Sequence, residues 1–349
     1  MTTPVLEVED LTVEFATHDG IVQAVRGVTF ELDPGEVLAI VGESGSGKSV
    51  TSLAIMGLLP KTARIGGSVR YKGKELLGLR DKDLTSVRGK EIAMIFQDPM
   101  TSLNPVYTVG WQLAEAVRAH HDVDKQAAKD RAVDLLQLVG IPNAKERADN
   151  YPHEFSGGMR QRTVIAMAMA NDPDVIIADE PTTALDVTVQ AQILETLEKA
   201  QDETGAAIVL ITHDLGVVAG MADEVLVMYA GKPVEIGTVD DIYYSPRMPY
   251  TLGLLGSLPR LDVEGDTLTP IKGAPPSLIN LPPGCPFTPR CPMARANCDD
   301  VEPLLRPIEG AGHRAACHYA EELGADVRAD SVFEVATVDD VVAGSSEGP

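Results

Sequence analysis

The sequence has no uninterrupted apolar run of the roughly 18 residues that a membrane-spanning helix requires, so the chain is not expected to cross a bilayer. Residues 1–10 are acidic where a secretory leader would be basic and then apolar, and the expected location is therefore the cytoplasm. Positive charge is also scarce, with 29 Lys and Arg against 52 Asp and Glu and a formal net charge of -23. That balance argues against nucleic acid as a partner, because phosphate backbones are recognised through Lys/Arg surfaces, and it fits a solubilising surface instead. Cysteine is limited to four residues, all between positions 285 and 317. In a reducing cytosol such a cluster is more often a metal site than a pair of disulfides.

What is present suffices for one large unit and a smaller appendage: 349 residues, 44% of them hydrophobic. Residues 5–15 and 21–32 are rich in β-branched side chains and flank the turn signal Thr17-His18-Asp19-Gly20, which predicts an antiparallel hairpin region. Short apolar runs at 37–41, 92–96, 175–178 and 207–211 alternate with helical spacing at 49–59, 189–200 and 215–221, the pattern of a parallel sheet covered by helices. Between 98 and 170 strand signals vanish and apolar residues recur three to four apart over 112–119, 125–139 and 159–170, so a helical insertion is expected there. Beyond about residue 245 proline increases and periodicity fades. The expected divisions are 1–244, 245–320 and an acidic, disordered tail over 321–349.

Gly42-Glu43-Ser44-Gly45-Ser46-Gly47-Lys48-Ser49 fits the P-loop pattern G-x-x-x-x-G-K-[ST] and lies between a predicted strand and a predicted helix. Glycines let backbone N–H groups turn toward phosphates, the helix N-terminus adds positive potential, Lys48 reaches the outer phosphates, and Ser49 ligates Mg²⁺. Val50, next in the chain, belongs to the same binding stretch. The apolar run 175–178 ends in Asp179 and Glu180, which places one carboxylate beside Mg²⁺ and leaves the other to hold the attacking water. Ser156-Gly157-Gly158 opens a helix and offers a second set of phosphate donors without a lysine.

In this order the elements resemble those of the ABC ATPases. The resemblance spans roughly residues 5–237 and implies an α/β P-loop NTPase core with an antiparallel β region and a helical subdomain over about 98–170. It further implies that Phe15 stacks on adenine, Gln97 contacts Mg²⁺, Ala184-Leu185-Asp186 forms the D-loop, and His213 steadies the γ-phosphate. Ser156, Gly157 and Gly158 would then serve ATP held by the opposite subunit, so that two such chains sandwich the nucleotide. Met159 stands where many ABC signatures carry glutamine, which puts contacts on the adenosine side of the partner's nucleotide in doubt.

After the ATPase region, Ser245-Pro246-Arg247-Met248-Pro249-Tyr250-Thr251, Gly273-Ala274-Pro275-Pro276 and Gly284-Cys285-Pro286-Phe287-Thr288-Pro289-Arg290-Cys291 resemble the C-terminal extension of oligopeptide/dipeptide importer ATP-binding subunits. The resemblance implies ATP hydrolysis coupled to peptide import at the cytoplasmic face of the membrane. Its implied partners are two permease subunits, a second ATPase subunit or a second copy, and an extracytoplasmic solute-binding protein. A nickel or other small-solute importer, or a soluble ABC ATPase, are the alternatives. For Cys285, Cys291, Cys298 and Cys317 the spacing C-x5-C-x6-C-x18-C lacks the tight knuckles usual for zinc, although His313 or His318 could replace a thiolate. Separate buried thiols are a further reading. An iron–sulfur cluster suits four thiolates on proline-stiffened loops. The importer resemblance implies a structural [4Fe-4S] centre, with Zn²⁺ the alternative.

Overall fold

The computed structural model describes residues 3–183, 185–257, 269–308, 312–324 and 326–333. Near the N-terminus, β1 (Leu6–Thr17) and β2 (Gly20–Leu32) pair antiparallel from Leu6 opposite Leu32 to Thr17 opposite Gly20, as the turn signal between them predicts. They join β4 (Ala63–Tyr71) and β5 (Lys74–Glu75) in a four-stranded antiparallel sheet of order β2-β1-β4-β5. The sequence reading did not anticipate β4, because Gly66 and Gly67 break its alternation.

The second sheet has eight strands in the order β11-β12-β10-β9-β3-β8-β7-β6. Its centre is parallel: β3 (Val37–Val41), β6 (Ile92–Ile95), β7 (Val175–Asp179) and β8 (Ala207–Thr212), together with β9 (Glu224–Tyr229) against β3. β3, β7 and β8 are buried along their whole length, which explains their unbroken apolar sequences: both faces of a parallel sheet are covered. The strand order places the carboxyl ends of β3 and β7 on either side of β8, and this is the edge where open α/β sheets bind ligands.

No strand lies between β6 and β7. The helices Val109–Arg118, Lys125–Leu138 and Gly157–Ala168 occupy that stretch and pack around Leu113, Leu135, Leu136 and Ile165, all fully buried. The expected helical insertion is therefore present.

At the other edge the chain turns antiparallel through β10 (Lys232–Thr238), against which β12 (Arg314–Ala315) pairs, with β11 (Arg306–Pro307) outside it. Residues beyond 245 are thus built into the main sheet. Helices Val239–Tyr244 and Pro249–Gly256 precede them, and Tyr229, Tyr250 and Phe287 form an aromatic cluster with centroid separations of 4.5, 5.3 and 5.4 Å. One expectation needs correction. Disorder was expected from residue 321, but Leu323 and Phe333 are buried in the same core as Tyr250, and Ala329–Val332 is helical. Two apolar anchors within an acidic composition suffice to hold the segment. Residues 334–349 lie outside the described residues.

Candidate functional site

β3 delivers the chain to Gly42, whose φ of 151° and contact with the Met228 carbonyl leave no room for a Cβ. Gly47, at φ 105°, is likewise confined by the Ala24 carbonyl and caps the helix Lys48–Ile55. The loop between them wraps the Lys48 ammonium, which donates to the carbonyl oxygens of Gly42 at 2.7 Å and Glu43 at 2.9 Å. Lys48 is only 4% exposed. Burial pushes its pKa down, while the nearby carboxylates of Glu180, Asp179 and Glu43 act in the opposite direction.

Ser49 Oγ donates to Asp179 Oδ1 at 2.9 Å, bringing the first turn of the helix against the end of β7. Asp179 is 6% exposed and its pKa is raised, chiefly by burial, with the Ser49 hydrogen bond pulling it back. A hydroxyl and a carboxylate in contact at the P-loop are hard oxygen donors, and they fit Mg²⁺.

Glu180 follows in the left-handed region at φ 48°, its N–H donating to the Ile211 carbonyl at 2.8 Å. Three groups from three segments meet its Oε2: Gln97 Nε2 at 3.0 Å, Thr183 Oγ1 at 2.8 Å and His213 Nδ1 at 3.4 Å.

Phe15, Val22, Ala24, the whole stretch 42–50, Gln97, Glu180 and His213 line one cavity of about 960 Å³, closed on one side by Leu254, Pro275 and Leu278 from beyond residue 245. The volume suits a nucleotide-sized ligand. Ser156, Gly157 and Gly158 are not among the lining residues. Ser156 instead caps the helix Gly157–Ala168, accepting from Met159 N–H at 3.3 Å, and Asp186 caps Val187–Thr204 by accepting from Val189 N–H at 3.0 Å. Of the expected D-loop residues, Ala184 lies outside the described residues.

Residues 25–183 match the ABC transporter family, and residues 234–298 match the oligopeptide/dipeptide transporter C-terminal region. The dipeptide transport ATP-binding protein DppD of Bacillus subtilis is 59% identical over 320 residues, covering 91% of this chain and 95% of that protein. The chain belongs to the ABC transporter family. The oligopeptide transport ATP-binding protein OppD of Escherichia coli is 54% identical over 91% of this chain and 94% of its own length. The OppD of Mycobacterium tuberculosis is 57% identical over 96% of this chain, but the chain spans only 55% of that longer relative. Among solved structures, the ATP-binding cassette MJ0796 in a post-hydrolysis dimer bound to ADP and Pi superposes with a TM-score of 0.61 at 28% identity, covering 67% of this chain and 98% of that one.

Within this ABC fold, motif reading missed Thr183 and the wall formed by Leu254, Pro275 and Leu278. A hydroxyl three residues after the second acid was the available sign of Thr183. Nothing in the spacing pointed to the wall, which depends on where the chain beyond residue 245 returns.

The iron–sulfur and zinc expectations are not supported: among the described residues, no group of three or more His, Cys, Asp or Glu is placed to hold a metal ion. The four thiols do converge. Cys285, Cys291, Cys298 and Cys317 are free, and all line one pocket of about 20 Å³ beside Met248, Phe287 and His318. That space holds about one water, far less than a cluster. Burial pushes the Cys291 thiol up to about 12 and Cys317 up to about 11, so both are protonated at neutral pH. The donor chemistry fits a cluster, since the pocket contains four thiols and no carboxylate; the present spacing does not. Among the described residues no helix is long and apolar enough to cross a membrane.

Proposed function

We propose that this chain binds and hydrolyses ATP to power an importer for oligopeptides or dipeptides, working on the cytoplasmic face of the membrane. Its partners in this reading are two permease subunits, a second homologous ATPase subunit or a second copy, and an extracytoplasmic solute-binding protein. The observation that carries the ATPase part is the single cavity in which the P-loop, Gln97, Glu180 and His213 meet. The matched C-terminal region and the names of the relatives support peptides as cargo. Residues 1–244 would form the ATPase unit and the chain from 245 the importer-type extension.

Phosphoryl transfer depends on positioning and charge stabilisation more than on covalent chemistry. The P-loop amides of Gly42, Glu43, Ser44, Gly45, Ser46 and Gly47, with Lys48 and Val50, would hold the phosphates, and Phe15 would face the base. Ser49, Asp179 and Gln97 would hold Mg²⁺, which would supply charge neutralisation at the phosphates. Glu180 orients the attacking water and accepts its proton at Oε2, the atom already ordered by Gln97 and Thr183, while His213 steadies the outer phosphate. Ser156, Gly157 and Gly158 would serve the opposite subunit's nucleotide, a reading supported by their place outside the lining of this chain's own cavity, and Asp186 would act in nucleotide binding as part of the D-loop.

The proposal retains a structural [4Fe-4S] centre on Cys285, Cys291, Cys298 and Cys317, supported by their convergence on one pocket. Assembly would require the thiols to deprotonate and rearrange.

Reconstitution with two co-expressed permeases and a binding protein tests the function. Peptide-stimulated ATP hydrolysis is expected. Stimulation by nickel but not peptide, or failure to associate with any permease, would overturn the cargo or the transporter assignment respectively.

A further inference from the structure

We infer that Arg290, in the extension, is a positioning residue for the P-loop and ties nucleotide affinity to the cysteine-bearing turn. Glu43 is the second residue of the P-loop, and its carboxylate is held by both arms of the Arg290 guanidinium, Nη1 to Oε2 at 2.6 Å and Nη2 to Oε1 at 2.8 Å. This inference rests on the reading of that loop as the ATP site.

The contact differs from an ordinary surface ion pair. The Arg290 side chain is 4% exposed, lies against the rings of Tyr229 and Phe287, and donates through Nε to the Lys272 carbonyl at 3.2 Å. The Glu43 carboxylate is 29% exposed toward the cavity, so the shielding lies on the arginine side, and a forked, charge-assisted pair of this kind is among the stronger polar contacts available to a protein. Glu43 is fixed from a second side as well, its N–H donating to the buried Tyr250 hydroxyl at 2.8 Å. Its carbonyl accepts from Lys48. The extension therefore holds the side chain and the N–H of the very residue whose carbonyl orients the P-loop lysine.

Arg290 is also placed to transmit a change. It ends the short helical turn Thr288–Arg290 and directly precedes Cys291, while the Cys285 N–H donates to the Cys298 carbonyl at 2.8 Å. Phe287, fully buried between the thiol pocket and the P-loop, leaves the turn little freedom to deform. Through Cys291, a rearrangement of the thiol pocket is transmitted to the adjoining Arg290 and so to its pair with Glu43.

The test is a double-mutant cycle on Mg·ATP affinity of the full chain, with Arg290→Gln, Glu43→Gln and the double variant, each also followed by thermal unfolding. Each single variant should weaken binding about tenfold, the double variant no further, and Arg290→Lys should recover part of the loss because it keeps charge without the fork. If Arg290→Gln lowers the melting temperature but leaves affinity within about twofold, or if the two losses add, Arg290 merely anchors the extension and the inference fails. Should Arg290→Gln not fold, Glu43→Gln and Arg290→Lys decide the question between them, since both keep side-chain volume; unchanged affinity in both overturns the inference. Lys48→Ala, measured alongside, separates this failure from failure of the ATP-site reading, because it should weaken binding whatever Arg290 does.

Discussion

In the proposed mechanism Glu180 is the residue on which hydrolysis turns. A non-glycine residue at φ 48° costs on the order of 1–3 kcal/mol, and such conformations persist where the surroundings over-determine them. Here the Ile211 carbonyl fixes the backbone, and Gln97, Thr183 and His213 converge on one carboxylate oxygen. Glu180→Gln keeps the shape while removing the proton acceptor, so ATP binding should survive and turnover of the assembled transporter should fall roughly 100-fold or more. Near-normal hydrolysis in that variant would refute the role. Thr183→Val should be milder, about tenfold in turnover, since one of three contacts to Oε2 is lost; an unchanged rate would make Thr183 a spectator. Lys48, Ser49, Asp179 and Glu180 were legible in the sequence because motif spacing fixes which side chains meet at a strand–loop–helix junction. Thr183 was not, because its contact arises from the backbone turn after β7, which no periodicity announces.

At the scale of elements, fully apolar strands and long amphipathic helices were readable, and elements with mixed signals were not. β3, β7 and β8 are buried on both faces, and their sequences show it directly. β4 carries two glycines and β10 a proline and a glycine, which obscure alternation, whereas β9 is an apolar run buried almost throughout that the reading passed over. The helix Gly157–Ala168 begins at the Ser156 cap, where Ser156-Gly157-Gly158 was expected to open a helix. Capped and not among the lining of this chain's own cavity, its N-terminus gives a test that depends on cis or trans placement. Lys48→Ala should weaken nucleotide binding in the isolated chain. Ser156→Arg should leave that binding within about twofold and abolish hydrolysis only in the assembled pair, since the helix end would meet the phosphates of the opposite subunit. Equal loss of binding in both isolated variants would sink the trans assignment.

For the whole molecule, the extension is joined to the ATPase core at several independent points. β12 continues the main sheet at β10, Glu235 and His313 pair at 2.8 Å in full burial, and Arg26 and Lys232 both reach Glu302. The Gln23 N–H also meets the Leu278 carbonyl at 3.1 Å beside the nucleotide cavity. None of this was legible from the proline-rich stretch itself, since each contact joins residues far apart in sequence. Long-range contacts of this kind stabilise the folded state only once the intervening loops are ordered, at an entropic cost that a cross-link reduces. The cysteine cluster would supply such a cross-link among residues 285, 291, 298 and 317, and this gives the last prediction. Anaerobically purified protein should be brown, contain iron and acid-labile sulfide, and melt at a higher temperature than the same protein stripped of iron, because metal binding contributes folding free energy. Cys291→Ser should lose colour and iron together and melt like the stripped parent. If the parent instead purifies colourless and iron-free with all four thiols titratable on unfolding, the small pocket between them is simply apolar packing. The cluster would then be rejected while the sheet contacts at β12 remained as the joint between extension and core.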